Sequence, residues 1–285
     1  MEHLFDDVAE IEDRLRAEFP PVLYKYRDWN CSDHKKIISH TEVWLAHPKS
    51  LNDDMDIRLP LKFNYDEIHS SLFFDKLKKY AEQHNWFKNL IPGSNDFLVA
   101  CENKLEEIKK NPTEYFKQTY NLVYNSELYD CIGIFSLTKN PLSRTMWAHY
   151  GNNSKGFCVG FNTVELFKDI MPISFGKVEY VDEPMEWSFV NAETEKISEP
   201  FYLKHTDWLN ESEYRFNTAD IVKNQRVRKF RPSTIKEIFI GANMPEKDLQ
   251  ELILSIKDNL KSHVKLYKIV RDANSYEIGK AEIKF

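Results

Sequence analysis

The residues of this chain that could do chemistry are an acidic pair, a serine and an arginine, and they lie far apart in the sequence. Glu211 and Glu213 form a Glu-x-Glu in the segment WLNESEYRF. Ser136 ends the apolar run CIGIFSL, and Arg27 closes the run LYKYR. If each run is a strand, alternation of side chains places Glu211, Glu213 and Arg215 on one face.

The acidic pair would suit cleavage of the bond between nicotinamide and ribose in NAD. That reaction builds positive charge on the sugar, as glycoside hydrolysis does. A carboxylate can stabilise this cation and hold a ribose hydroxyl, the role we assign to Glu213. Glu211 would accept a proton from the attacking nucleophile. The alternative is a surface strand on which Glu213 pairs with Arg215 or Lys204.

The other candidates would bind the same substrate. Arg27 offers a planar fork that suits the diphosphate of NAD, and its alternative is a structural salt bridge. Ser136 would hold the nicotinamide ribose or orient the catalytic glutamate, although serine often satisfies a backbone group at a strand end. Trp147 and Tyr150, three apart on a short predicted helix, face the same way, and either could stack on a base or belong to the core. Further candidate substrate ligands are Tyr26, Asn52 and Lys204.

Composition excludes several classes of nucleotide and metal site. The chain has 285 residues and a formal net charge of −6, which argues against a protein that coats DNA. It has only 8 glycines and no GxGxxG or Walker sequence, so side chains and scattered amides would hold any nucleotide. None of the 4 cysteines forms a CxxC, and no His/Cys cluster has zinc-ligand spacing, so we expect no metal.

The termini and apolar runs predict a cytoplasmic protein without a membrane partner. The N-terminus is acidic and amphipathic and has no signal-peptide core. No apolar run approaches membrane-spanning length. Cys131 and Cys158 lie in apolar runs and are expected to be buried free thiols, which fits a reducing compartment.

The periodicity predicts one α+β domain over residues 1–285, with a mixed or antiparallel sheet as its core. Apolar residues at helical spacing predict an N-terminal helix within 1–20. The charged, helical stretch 65–129 is expected to be an insertion that serves as scaffold or lid. Strand patterns follow residue 130, interrupted by a helix expected over 195–209 and another in PEKDLQELILSIKDNL.

Five segments together resemble a widespread bacterial family, domain of unknown function 2971. They are LYKYR, VWLAHPKSLNDDMD, FSLTKNPLSRTMWAHYGNNSKGFCVGF, KHTDWLNESEYRF and IKEIFIGA. The resemblance runs from about Leu23 to the C-terminus, and MWAHY, KGFCVGF and WLNESEYR are its most specific parts. The family usually reads Asn-Asp-Pro-Phe-Asp where this chain has NDDMD, a departure that keeps Asn52, Asp53 and Asp56.

The order of these motifs resembles the arginine–serine–glutamate class of ADP-ribosyltransferases. In that class one strand carries the arginine, a serine-containing strand leads into a short helix and another strand, and Glu-x-Glu lies later. Arg27, Ser136 and the pair Glu211 and Glu213 stand at those places, with FSLT where the class has Ser-Thr-Ser. The resemblance implies an ADP-ribosyltransferase-like fold that uses NAD as substrate and no metal. It also implies ADP-ribose transfer to a protein or nucleic acid, or NAD hydrolysis, chemistry that often serves toxins or phage defence.

Two other functions fit the same sequence. A metal-independent nuclease would use His149 or His205 with the basic stretch 223–231, which would dock a nucleic acid or another anionic partner. The alternative for that stretch is a solvated strand. A non-catalytic sensor or interaction module would bind a nucleotide or a partner protein in an aromatic pocket.

The three functions predict different arrangements of the same residues. The NAD hypothesis requires that Arg27, Ser136 and Glu213 converge on one pocket. The nuclease requires a continuous basic groove that contains a histidine. In the sensor, Glu211 and Glu213 would only support the structure.

Overall fold

The computed structural model describes residues 8–124, 127–190, 199–219, 225–260 and 264–285. The chain divides into two compact units, the first formed from 1–56, 130–181 and 202–285 and the second from 57–129 and 182–201. Helices and a large mixed sheet confirm the α+β class. The predicted insertion falls within the second unit, and the single-domain organisation stays a prediction.

The described helices and strands follow the predicted order closely. The helices are α1 (Val8–Glu18), α2 (Ser32–Ser39), α3 (Ser71–Gln83), α4 (Asn95–Lys110), α5 (Pro112–Tyr124), α6 (Glu127–Asp130), α7 (Arg144–His149), α8 (Thr163–Ile170) and α9 (Glu246–Asn259). The strands are β1 (Val22–Arg27), β2 (Glu42–Trp44), β3 (Leu61–Phe63), β4 (Gly133–Thr138), β5 (Phe157–Asn162), β6 (Ser174–Lys177), β7 (Glu179–Val181), β8 (Met185–Trp187), β9 (Leu203–His205), β10 (Glu213–Thr218), β11 (Val227–Lys229), β12 (Ile235–Ile240), β13 (Lys265–Arg271) and β14 (Ile278–Ile283).

The first unit is built on one eight-stranded sheet in the order β14-β13-β12-β5-β1-β4-β10-β6. Its neighbouring strands are antiparallel except for β12 and β13, which run parallel. The strands that carry the arginine, the serine and Glu213 are therefore adjacent, as β1, β4 and β10. This adjacency arises from pairing between residues far apart in the chain, Tyr24 with Thr138 and Ser136 with Arg215.

The main core covers one face of this sheet. Ser136, Glu213 and Arg215 lie on the other face, whereas Arg27 shares the face of Leu23 on β1. Leu23 of β1, Phe135 of β4 and Phe216 of β10 are buried in that core, together with residues of α1, α8 and α9. Because side chains alternate along a strand, Ser136 and Arg215, which are paired across β4 and β10, point to the opposite face.

The sheet opens between β1 and β4. β1 pairs with β5 at six positions, from Val22 to Arg27. It pairs with β4 only between Tyr24 and Thr138. Beyond that pair the two strands separate, and Ala46 bridges to Ile134 of β4 instead. The separation leaves room in the first unit for the cavity described below.

The second unit consists mainly of helices α3, α4 and α5, with β3 and β8 paired in parallel. Its core contains Phe73 and Leu77 of α3, Ile108 of α4 and Phe116 of α5. The spacing of these residues places them on one face of each helix, as the sequence pattern predicted. None of the described helices, in either unit, is long and apolar enough to cross a membrane.

The prediction of a helix over 195–209 is wrong for residues 199–209, the part that the structure describes. Residues 199–202 and 206–211 form 3₁₀ turns on either side of β9, and residues 195–198 lie outside the described residues. β9 pairs with β7, which requires extended backbone at Leu203 and Lys204. The N-terminal helix is confirmed from Val8, and its residues 4–7 lie outside the described part.

Gly156 provides a first testable prediction, because the backbone of β1 lies directly against it. A Cβ placed on Gly156 would lie 2.1 Å from the carbonyl oxygen of Arg27, a contact that backbone must move to relieve. We expect Gly156→Ala to lower the free energy of unfolding by about 1–3 kcal/mol or more, measured in urea. Gly279→Ala on β14 is the control, since its Cβ would lie 3.4 Å from Val270. Equal effects of the two substitutions would contradict the close approach at β1.

Candidate functional site

A cavity of about 560 Å³ lies in the first unit where β1 and β4 separate. Arg27, Ser136 and Glu213 all line it, from three adjacent strands. The other predicted residues that line it are Tyr26, Asn52, Tyr150, Lys204 and Glu211. One cavity therefore collects all of the predicted site residues except Trp147.

A buried ion-pair cluster forms one wall of this cavity. Arg215 is completely buried, and its Nε and Nη2 donate to the two carboxylate oxygens of Glu213 at 2.7 and 2.9 Å. The same Nη2 donates to Asp56 Oδ2 at 2.8 Å. This two-pronged contact fixes the plane of the Glu213 carboxylate. The pairing with Arg215 that the sequence offered as an alternative is confirmed, but Glu213 is buried and does not lie on a surface strand.

Lys204 joins the remaining carboxylates to the cluster. Its Nζ lies 2.6 Å from Glu211 Oε2, 3.3 Å from Glu213 Oε2 and 3.3 Å from Asp56 Oδ2. Three carboxylates thus face two cations, Lys204 and Arg215, and the ionised cluster carries one net negative charge. A buried cluster with net negative charge attracts positive charge from whatever enters the cavity.

Glu213 is an ionised carboxylate in this environment. Burial would raise the pKa of Glu213, but Arg215, Lys204 and a hydrogen bond from Ser136 hold that pKa well below its ordinary value. Burial lowers the pKa of Lys204, yet the three surrounding carboxylates raise it above its ordinary value. At neutral pH Glu213 can therefore stabilise a cation but cannot donate a proton.

Glu211 reaches the cluster by a route that the sequence pattern did not predict. It ends a 3₁₀ turn, and Ser212 adopts a left-handed conformation with φ 45° before β10 begins at Glu213. The expectation that Glu211 and Glu213 alternate on one strand is therefore wrong. Tyr150 donates to Glu211 Oε1 at 2.5 Å while Lys204 occupies Oε2, so both oxygens of Glu211 have a donor.

The opposite wall of the cavity carries two cations of β1. Arg27 lies two residues beyond Lys25, on the same face of the strand. Lys25 Nζ donates to the carbonyl oxygen of Ser136 at 2.6 Å. Within the described ranges, neither cation has a carboxylate at ion-pairing distance. The salt bridge considered for Arg27 is thus absent from the described residues.

A family comparison matches the segment that supplies every residue of the ion-pair cluster except Asp56. Residues 146–216 match the family model described as "Protein of unknown function (DUF2971)". This segment is similar to that family. It contains Tyr150, Lys204, Glu211 and Glu213, and it confirms the family resemblance in the stretch that holds its most specific motifs. No curated protein and no solved structure matches the chain significantly.

Within the DUF2971 segment, α7 positions Tyr150 but withdraws Trp147 from the cavity. The hydroxyl of Ser143 accepts from the Met146 amide at 3.3 Å and caps the helix. Trp147 is 1% exposed, packs edge-on against Tyr26 and donates to the Pro141 carbonyl oxygen at 3.0 Å. The prediction that Trp147 binds the substrate is therefore corrected: it is a core residue beneath the site.

Tyr26 and Asn52 support the site from outside the DUF2971 segment. The Tyr26 hydroxyl donates to the Asn140 carbonyl oxygen at 2.8 Å and accepts from the Ser143 amide, so it anchors the loop before α7. Asn52 is exposed at the cavity wall and hydrogen-bonds Tyr150. Burial and the neighbouring Glu211 raise the pKa of Tyr150 well above its ordinary value, so its hydroxyl stays protonated.

The residues proposed for a nuclease do not join this cavity. His149 is exposed on α7, and His205 is exposed with its Nδ1 3.0 Å from Asp207. Neither histidine lines the cavity. Across the part of the chain that the structure describes, no group of three or more His, Cys, Asp or Glu residues is placed to hold a metal ion.

The described part of the basic stretch 223–231 is largely occupied by contacts within the protein, and residues 223 and 224 lie outside it. Arg226 is buried and donates to the carbonyl oxygens of Ile132 and Asp130. Arg231 Nε lies 2.7 Å from Asp169. These arginines hold β11 and its flanks in place.

Sequence reasoning missed several residues of the site, among them Lys25, Trp44 and Asp56. Lys25 stands between two tyrosines of β1, and no local pattern distinguishes it from an ordinary solvated lysine. Trp44 of β2 lies at the cavity wall and is 53% exposed. An unburied tryptophan beside a cavity is a signal that only the structure supplies, because exposure depends on which elements cover β2.

Proposed function

We propose that this protein is an NAD-using enzyme of the ADP-ribosyltransferase type, which transfers ADP-ribose to a macromolecule or to water. The observation that carries the proposal is that Arg27, Ser136 and Glu213 line one cavity. These three residues are far apart in the sequence, and no local pattern requires that they lie close together. Their strands β1, β4 and β10 are neighbours in the sheet, in the motif order of that class.

The charges of the cavity support NAD as the substrate. Its β1 wall carries Lys25 and Arg27, and its opposite wall carries a cluster with one net negative charge. NAD is itself bipolar, with a cationic nicotinamide and an anionic diphosphate. Placing the diphosphate against β1 and the nicotinamide ribose against Glu213 matches each charge of the ligand to its opposite.

The chemistry assigns a separate task to each glutamate. The bond between C1′ of the ribose and the nicotinamide nitrogen breaks, and its electron pair leaves with neutral nicotinamide. The ionised Glu213 stabilises the resulting cation at C1′. The incoming nucleophile bonds to C1′ and releases its proton. Glu211 accepts that proton, because the donors from Lys204 and Tyr150 occupy only part of its lone-pair capacity.

The first test is release of nicotinamide from NAD by the purified protein, with NAD binding followed by calorimetry. Turnover supports the proposal, whereas the absence of both turnover and binding overturns it. Binding without turnover, even when cell extract supplies acceptors, would favour a nucleotide sensor. His149→Ala is the matched control, since His149 does not line the cavity and its loss should leave nicotinamide release unchanged.

Ser136→Ala tests the support of the catalytic glutamate. Ser136 hydrogen-bonds the Glu213 carboxylate and contributes to its lowered pKa. A hydrogen bond to a charged group contributes about 1.5–3 kcal/mol, so we expect kcat for nicotinamide release to fall about 10- to 100-fold. Ser136→Thr, which keeps the hydroxyl, should recover part of the loss. Equal rates for wild type and Ser136→Ala would contradict this role.

A further inference from the structure

Lys25 and Arg27 place two partly buried cations side by side, and no carboxylate among the described residues pairs with either of them. The ammonium of Lys25 contacts a carbonyl oxygen of Ser136 at 2.6 Å and lies 5.3 Å from the centre of the Phe135 ring. Within the described ranges, the carboxylates of the cavity pair with other cations. Asp56, Glu211 and Glu213 pair with Lys204 or Arg215, Asp33 pairs with Lys36, and Glu42 pairs with Lys229. Buried charges in proteins are ordinarily paired, so this wall lacks its counter-ion.

The ammonium of Lys25 is correspondingly easy to deprotonate. Burial, and next the charge of Arg27, lower the pKa of Lys25 to about 7, and Glu213 and Glu211 offset only part of that effect. Burial lowers the pKa of Arg27 to about 10, so the guanidinium stays charged at neutral pH. A lysine with a pKa near neutrality is uncharged in part of the molecules at pH 7.

We propose that Lys25 and Arg27 form a diphosphate-binding site at which Lys25 takes up a proton when the anion binds. The neutral amine of Lys25 accepts one proton from the buffer, and the resulting ammonium pairs with a phosphate oxygen. Arg27 contributes a permanent charge and fork-shaped geometry, whereas Lys25 contributes a charge that appears only on binding. That the anion is the diphosphate of NAD rests on the proposed function; the proton uptake does not.

The other titratable groups near Lys25 do not account for this uptake. The charges that act on Lys25 are Arg27, Lys204, Glu211 and Glu213, and the same cavity is lined by His34, Asp33 and Lys36 of α2 and by Glu42 of β2. Lys204 and Arg27 are already protonated, and the pKa of Glu213 lies far below neutrality. His34 of α2 needs a control, because burial and Arg27 lower its pKa and an anion would reverse part of that shift.

The linkage predicts the sign of the pH dependence. Anion binding raises the pKa of Lys25 above its value of about 7 in the free protein. Affinity is therefore constant below that pKa and falls as the pH rises above it, by up to tenfold per pH unit, until the pKa of the complex is reached. A site built from arginines alone would show no such fall near neutrality.

The test is calorimetric titration of the whole protein with ADP-ribose, whose diphosphate diester does not titrate near neutral pH. Titrations at pH 7 in two buffers of different ionisation enthalpy give the number of protons taken up. We expect uptake of a measurable fraction of a proton by the wild type, since part of Lys25 is neutral at that pH. Lys25→Arg should bind without uptake, and Lys25→Met should bind at least about tenfold more weakly, also without uptake.

Two controls separate Lys25 from its surroundings. His34→Asn keeps an acceptor for the Asp28 amide and should retain the uptake. Lys177→Met removes an exposed lysine from β6 of the same sheet and should change neither affinity nor uptake. Thermal unfolding of each variant verifies that it is folded at the temperature of the titration.

The possible outcomes distinguish this inference from the proposed function. Absence of ADP-ribose binding, absence of proton uptake by the wild type, or unchanged uptake in Lys25→Arg overturns the Lys25 site. Proton-linked binding without nicotinamide release leaves the Lys25 site standing and removes the proposed function. Nicotinamide release together with binding that is independent of Lys25 supports the proposed function and removes the Lys25 site.

Discussion

Glu213→Gln is expected to lower the rate of nicotinamide release by about 10²–10³-fold while NAD still binds. The substitution keeps the size of the side chain and removes the negative charge that faces the developing cation. It also cancels the net negative charge of the cluster, in which Arg215 and Lys204 would face two carboxylates instead of three. Single-turnover kinetics and calorimetry on the same variant measure the rate and the affinity separately.

The control for this substitution is Glu282→Gln on β14, an exposed glutamate of the same sheet. It should release nicotinamide at the wild-type rate. If Glu213→Gln retains the wild-type rate as well, Glu213 is not the catalytic carboxylate and the proposed mechanism fails. If both affinity and rate collapse together with the unfolding temperature, Glu213→Asp is the variant to measure, because it keeps the charge.

Arg215→Met is expected to cost about 3–5 kcal/mol of unfolding free energy, the largest stability effect that the site predicts. Arg215 has no exposed surface, and its guanidinium pairs with both Glu213 and Asp56. Its removal leaves three buried carboxylates with the single ammonium of Lys204. Urea denaturation at pH 7 measures the loss. Arg231→Met is the control: the Arg231 side chain is 53% exposed, and exposed ion pairs contribute at most about 1 kcal/mol.

The pH dependence of this loss has a defined sign. Because the pKa of Glu213 is lowered in the folded protein, its contribution is complete above the ordinary glutamate value of 4.5 and disappears as the pH falls below that value. The difference between wild type and Arg215→Met should therefore be largest near neutral pH and shrink in acid. A difference that stays constant as the pH falls well below 4.5 would show that lost packing, rather than charge, dominates.

The fold class and much of the site could be predicted because the strands can be recognised from the pattern of apolar and polar residues in the sequence. The segments that became β1, β4 and β10 read as strands, and the ends of these segments marked Arg27, Ser136 and Glu213. The two interpretations of Glu213 are also compatible in the structure, since it pairs with Arg215 and Lys204 and lines the cavity as well.

The remainder of the site depends on contacts that no local pattern encodes. Asp56 meets Arg215 from 159 positions away, and Lys204 meets its carboxylates only because β9 replaces the predicted helix. Trp147 and Tyr150 share a helical spacing, yet packing against Tyr26 draws the first into the core. Contacts between distant segments decide each of these cases, and the local pattern of a single sequence does not reveal them.

The pairing of β1 with β5 also has a consequence for the synthesis of the chain on the ribosome. β1 ends at Arg27, while its main partner β5 ends at Asn162, and residues 57–129 of the second unit are synthesised between them. At roughly 5–20 residues per second, the ribosome exposes β1 for on the order of ten seconds before β5 exists. Unpaired strand edges invite association with other chains. Newly made protein should therefore depend on chaperones during this interval, however stable the finished sheet is.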